Sequence, residues 1–122
     1  MSRRIAATLA AAAVGAIGLL MSLPATAAPT TVAGKVGPGY TINLTIGGKK
    51  VTKLKAGVKY RFVIADRSED HDFRLVGPGM SKLLSGEEYM GTKTTVLSLK
   101  KGSYRFYCAP HSDEMRGGFS VS

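Results

Sequence analysis

Ser103-Tyr104-Arg105-Phe106-Tyr107-Cys108-Ala109-Pro110-His111-Ser112-Asp113-Glu114-Met115 opens with strict alternation. Tyr104, Phe106 and Cys108 fall on one side and Arg105 and Tyr107 on the other, which is the period of a half-buried strand. The same period recurs on either side of this stretch. Tyr60, Phe62 and Ile64 share a face of the run 59–65, and Thr95, Leu97 and Leu99 share a face before Lys101-Gly102. Thr41 to Ile46 alternates and stops at Gly47-Gly48-Lys49-Lys50, a strand followed by a turn, and Phe119 to Val121 closes the chain. No helical stripe occurs after Ala28, so the fold class is all-β. About seven or eight short strands in so few residues imply a two-sheet β-sandwich. Gly77-Pro78-Gly79 and Gly86-Glu87-Glu88 interrupt any pattern between Gly77 and Lys93, and that stretch reads as a loop with one short strand or helical turn.

The first residues follow a different pattern. Arg3 and Arg4 precede an apolar run from Ile5 to Leu20, followed by Pro24 and the small residues Ala25-Thr26-Ala27. This is the three-part layout of a secretory signal peptide, so residues 1–27 are expected to be removed and residues 28–122 to form one domain. The run is short for a membrane span, and no second one follows. The mature chain is therefore expected to be exported to the periplasm or the medium, without stable membrane insertion.

Export makes the cysteine count informative. An oxidising compartment favours paired cysteines, yet the chain has a single one, Cys108, and can form no internal disulfide. Loss of residues 1–27 removes Arg3 and Arg4 and no acid, lowering the formal charge from +9 to +7. The lysines are scattered and lack interleaved aromatics, which argues against nucleic acid and is compatible with an acidic protein partner.

There are only two histidines, and one of them, His111, stands three residues after the only cysteine. Met115 follows four residues later, and His71 lies just past the apolar strand that ends at Ala65. If Cys108 ends a strand, the turn through Pro110 returns His111 beside it, and His71 on a neighbouring strand or loop completes a trigonal set. Two imidazoles, one thiolate and a weak axial thioether form the donor set of a blue-copper electron-transfer site. Structural zinc normally takes four strong nitrogen or sulfur ligands, and this chain offers three. Met115 is alternatively a core filler, with Met80 and Met90 as further thioethers. Asp70, Asp72, Asp113 and Glu114 supply carboxylates close to the three ligands.

The run from Cys108 to Phe119, preceded by Tyr104-Arg105-Phe106-Tyr107 and joined to His71-Asp72-Phe73, resembles the small exported bacterial cupredoxins of the plastocyanin and azurin group. The likeness extends from about Val32 to Ser122. It implies a Greek-key β-sandwich with one copper ion at one end, His71, Cys108 and His111 as equatorial ligands and Met115 axial. It also implies that His111 protrudes through an apolar patch and that the backbone N–H of Asp72 bonds the Cys108 sulfur. Three residues separate His111 from Met115 where plastocyanins usually have four, and Asp72 stands where the group often has asparagine. The expected function is a one-electron carrier cycling between Cu(I) and Cu(II), acting as a monomer with redox partner proteins and transforming no substrate. The alternative is an extracytoplasmic copper-binding protein for delivery or buffering.

Overall fold

The computed structural model describes residues 28–122, so the expected signal peptide, residues 1–27, lies outside the described residues. Ten strands pack as two five-stranded sheets. The first sheet holds β1 (Thr30–Val36), β2 (Ile42–Ile46), β3 (Lys49–Lys50), β5 (Lys59–Asp66) and β8 (Gly91–Ser98), in the order β3-β2-β1-β5-β8. The second holds β4 (Lys53–Leu54), β6 (Phe73–Gly77), β7 (Met80–Ser85), β9 (Gly102–Tyr107) and β10 (Arg116–Val121), in the order β4-β10-β9-β6-β7. Eight of the ten have five or more residues, in line with the expected seven or eight, and β3 and β4 are two-residue additions at sheet edges. The chain crosses between sheets after β3, β4, β5, β7 and β8, so β9 lies beside β6 rather than beside β8.

Alternation in sequence becomes alternation in burial. Along β5, Tyr60, Phe62, Ile64 and Asp66 are buried while the residues between them are not, and along β9 the buried pair is Tyr104 and Phe106. The inner faces of the two sheets meet in one core that includes Val32, Val36, Leu44, Phe62, Phe73, Leu75 and Phe106. Removing these side chains from water is the main favourable term in folding, about 1.5–3 kcal/mol for each large one. Phe73 stacks on Phe106 with ring centroids 5.6 Å apart, and Tyr104 stacks on Phe119 at 5.3 Å. Gly47 and Gly48 join β2 to β3 with φ of 57° and 80°, the two positive angles that a twist-matched two-residue hairpin turn requires.

The stretch from Gly77 to Lys93 corrects the sequence reading. It is a hairpin rather than a loop: β6 turns through Pro78 and Gly79 into the six-residue β7, and β8 already starts at Gly91. Proline followed by a glycine of positive φ, 67° at Gly79, is the composition of a tight turn. The alternation is hidden because β7 is an edge strand and its pairing with β6 slips between Phe73 and Arg74. Only Leu84 and Ser85, at its end, are buried.

Gly77 is required by packing. A Cβ there would enter the ring of Tyr104, which cannot swing away because it stacks on Phe119 and its hydroxyl donates to the Lys100 carbonyl at 2.7 Å. Gly77→Ala is expected to cost about 1–3 kcal/mol, read as a lowered thermal midpoint. An unchanged midpoint would mean that the ring has room to move.

Among the described residues no helix is long and apolar enough to cross a membrane.

Candidate metal centre

The end of β9 presents Cys108 to the core, where it is fully buried. Pro110 cannot continue a strand ladder, and Ala109–His111 form a single 3₁₀ turn with the His111 N–H donating to the Cys108 carbonyl at 3.1 Å. Two further main-chain bonds close the loop onto itself: Met115 N–H to the His111 carbonyl at 2.8 Å, and Cys108 N–H to the Met115 carbonyl at 3.0 Å. The chain leaves from Arg116 as β10, paired with β9. Cys108 and Met115, both wholly buried, thus sit at the mouth of one antiparallel pair, with His111 half-buried at the tip of the loop between them.

His71 arrives from the other direction, in the β5–β6 connection two residues before Phe73 starts β6. It is buried, and its Nε2 donates to the Gly39 carbonyl at 2.8 Å. That bond leaves the Nδ1 lone pair directed at the site, since the proton on one ring nitrogen decides the role of the other. The β1–β2 loop makes this possible. Gly37 and Gly39 take φ of 64° and 71°, and a Cβ on Gly37 would lie 2.8 Å from the Ser68 Cβ and 3.3 Å from the His71 ring. Tyr40, next along, lies over both imidazoles, with ring centroids 5.9 Å from His71 and 5.0 Å from His111.

Three donor atoms therefore converge. His71 Nδ1 and His111 Nδ1 are 3.0 Å apart, and Cys108 Sγ lies 3.7 Å from the first and 3.6 Å from the second. Nitrogens at roughly 2.0–2.1 Å and a sulfur at about 2.3 Å from a common ion would be separated by roughly 3.5–3.8 Å in a trigonal set. The sulfur–nitrogen edges match this and the nitrogen–nitrogen edge is somewhat shorter. Among the described residues this is the group of histidine, cysteine and acidic side chains that can hold a metal ion. Nitrogen and soft sulfur donors suit copper or zinc rather than magnesium or calcium.

Asp72 joins the two ligand-bearing loops. Its carboxylate is buried and accepts from the Ala109 N–H at 2.7 Å through Oδ1 and from Arg74 Nε at 2.8 Å through Oδ2. The residue after His71 is thereby tied to the residue after Cys108. Asp70, Asp113 and Glu114 are exposed and lie outside the donor triangle.

Burial pushes the Cys108 thiol above its ordinary pKa, and the negative charge of Asp72 adds to the rise, while the backbone N–H groups of Asp72 and His111 act against it. The Asp72 N–H thus favours the thiolate as expected, while the polar partners within hydrogen-bond geometry of the sulfur are His71 Nδ1 and His111 Nδ1. With no metal bound, a raised thiol pKa favours the folded state fully below the unfolded thiol's pKa. This contribution is lost as pH rises through the folded value, because only the unfolded chain ionises readily in between. The metal-free protein is expected to lose stability progressively above the ordinary thiol range, and Cys108→Ser should flatten that decline in urea titrations at several pH values. Equal slopes for the two proteins would contradict it.

The structure brings His71, Cys108 and His111 together and buries Met115 on the same loop. It does not give His111 a purely apolar surround. Tyr40, 61 % exposed, and Pro110 flank it, but Ser68, Asp70 and Glu87 complete the cleft of about 510 Å³ that His111 and His71 line. The sequence reading passed over Gly37, Gly39 and Tyr40. Their signal was present in Gly37-Pro38-Gly39-Tyr40, a turn composition with an aromatic, but nothing along the chain tied it to His71.

No family model matches the chain, and no curated protein matches it in sequence. Solved structures do match. Rusticyanin from Thiobacillus ferrooxidans is 17 % identical with a TM-score of 0.57, the match covering 78 % of this chain and 79 % of that one. A second rusticyanin structure, described as that of a copper protein, is 15 % identical with a TM-score of 0.57 and coverage of 78 % and 80 %. An amicyanin variant in its reduced Cu(I) form is 15 % identical with a TM-score of 0.51 over 80 % of this chain and 87 % of that one. These neighbours are cupredoxins, and the chain has the cupredoxin fold.

Proposed function

We propose that the protein is an exported blue-copper carrier of single electrons, with His71, Cys108 and His111 as strong ligands and Met115 as the weak axial one. The observation that carries this reading is the triangle of two Nδ1 atoms and one Sγ with edges of 3.0, 3.6 and 3.7 Å at one end of a cupredoxin sandwich. Copper supplies the one-electron Cu(II)/Cu(I) couple there. The chain's own residues hold and shield it: Cys108 offers a wholly buried sulfur, and His71 is locked by the Gly39 carbonyl. His111 alone of the three remains half-exposed, which makes its ring the route to a partner. Donors clamped by main-chain bonds on both loops change position little between oxidation states, and a small rearrangement keeps the barrier to electron transfer low. Residues 1–27 serve as the export signal in this reading, residues 28–122 are the working domain, and no substrate is transformed.

Repeated reduction and reoxidation of the copper-loaded protein tests the carrier role. A carrier retains one copper per chain through many cycles, whereas a delivery protein surrenders Cu(I) to a chelating acceptor after the first. Met115→Leu is expected to keep the intense absorption and to raise the potential, since losing an axial donor disfavours Cu(II), the state that prefers more ligands. Cyclic voltammetry reads the shift. A potential equal to that of the parent protein would remove Met115 from the ligand set.

A further inference from the structure

Charge is divided between the two ends of the sandwich. The last residue of β5 and the β5–β6, β7–β8 and β9–β10 connections carry all eight acidic side chains of the chain. The pairing of Asp66 with Gly91 and of Phe73 with Ser85 places all of these at the metal end. The opposite end has no acidic side chain. There the Gly57 N–H donates to the Leu99 carbonyl and the Ala56 N–H to the Ser122 carbonyl, both at 3.1 Å, so the β4–β5 turn, the β8–β9 connection and the residue after β10 meet. This brings Lys55 and Lys59 beside Lys100 and Lys101, with Lys53 on β4 next to them. The β2–β3 hairpin, at the same end of the first sheet, adds Lys49 and Lys50. All seven lysines are exposed, and among the described residues the only ion pair is Arg74 with Asp72.

We propose that this lysine pole binds an anionic phospholipid surface peripherally, with the metal end turned away from it. The proposal goes beyond the carrier reading and does not rest on it. Lysine ammonium groups are compact, strongly hydrated point charges on flexible stems, which suits mobile lipid phosphates. Fixed carboxylates of a protein are better matched by guanidinium forks, and these turns hold no arginine. Each lysine near an anionic membrane contributes about 1 kcal/mol. Val58, 39 % exposed between Lys55 and Lys59, supplies an apolar tip that enters the headgroup layer while the ammonium groups stay at the phosphates. The acids at the metal end do not cancel the attraction. The eight residues of β5 from Lys59 to Asp66 span roughly 23 Å at about 3.3 Å per residue, whereas exposed charges are screened beyond about 8 Å at physiological salt. This orientation leaves half-exposed His111 facing the bulk solution.

The test is co-sedimentation of the protein, as recovered from the cell, with vesicles of phosphatidylglycerol and phosphatidylcholine in equal parts, against vesicles of phosphatidylcholine alone. Metal loading plays no part in it, so its failure is separable from failure of the copper site. The protein is expected to sediment with the mixed vesicles only, and to be released as salt is added. K55E/K101E should weaken binding at least about 10-fold. K35E/K93E makes the same change of net charge where Lys35 pairs with Ala65 and Lys93 with Ile64, near the metal end, and should weaken it less than about 3-fold. No binding to the mixed vesicles, equal binding to both kinds of vesicle, or equal weakening by the two pairs would overturn the assignment. Release by polyglutamate supplying as many carboxylates as there are lipid phosphates would give the pole to an acidic protein instead, and so overturn it too.

Discussion

Cys108→Ser is expected to abolish the intense charge-transfer absorption of the copper-loaded protein and to lower copper affinity by well over the roughly 10–100-fold that follows loss of an outer partner of a ligand. The hydroxyl replaces sulfur in nearly the same volume, but it does not ionise at neutral pH and gives copper no soft, covalent donor. The fold should survive. Burying a hydroxyl costs about 1–3 kcal/mol when it lacks a partner, and here His71 Nδ1 and His111 Nδ1 lie within reach at 3.7 and 3.6 Å from the sulfur. Absorption titration with Cu(II) alongside a thermal melt of the metal-free variant separates the two effects. A folded variant that still turned blue would place the copper elsewhere.

Asp72→Ala is expected to be the most disruptive change outside the ligands. Its buried Oδ1 is the acceptor for the Ala109 N–H at 2.7 Å, and alanine would leave that main-chain donor without its bond between the two ligand loops. A hydrogen bond to a charged acceptor contributes about 1.5–3 kcal/mol, which for a domain of this size is roughly 6–24 °C in thermal midpoint. The metal site should respond as well, because the strap that holds the His71 loop against the Cys108 loop is cut. Asp72→Asn separates the two contributions. Its amide oxygen can still accept from Ala109, so stability should largely return, while the negative charge that raises the Cys108 thiol is gone and the thiol should titrate lower. Arg74, half-exposed and bonded to the other carboxylate oxygen, should matter little to stability when replaced by alanine. If Asp72→Ala melts with the parent protein, the two loops are held together by other means.

The parts of this molecule that were legible in its sequence are those in which neighbouring residues decide the outcome. Tyr60, Phe62 and Ile64, and Tyr104, Phe106 and Cys108, alternate because one sheet face is buried, and period two shows this without any tertiary information. The Cys108 loop was readable for a similar reason: Pro110 and the short interval to His111 and Met115 bend the chain back on itself. His71 was within reach because the chain owns only two histidines. The β6–β7 hairpin was hidden because an edge strand with a slipped register needs no alternation, and Met80 to Leu83 therefore show none. The Gly39 carbonyl was unreadable for a different reason. Main-chain acceptors leave no trace in residue type, and the loop that supplies this one is 32 residues from His71. Asp72 stood out as a carboxylate beside a ligand, but its bond to the Ala109 N–H depends on β6 and β9 being neighbours, which only the sheet order establishes. The lysine pole comes from adjacency of the same kind, with Lys55 and Lys101 contributed by separate turns that main-chain bonds hold together.

X-ray absorption spectroscopy at the copper edge on the singly loaded protein tests the central claim most directly, because it counts donors by element without depending on colour or activity. The account predicts one short copper–sulfur vector and two imidazole nitrogens, with the sulfur vector lost in Cys108→Ser. A first shell of nitrogen and oxygen alone in the parent protein, or a single imidazole beside the sulfur, would contradict it.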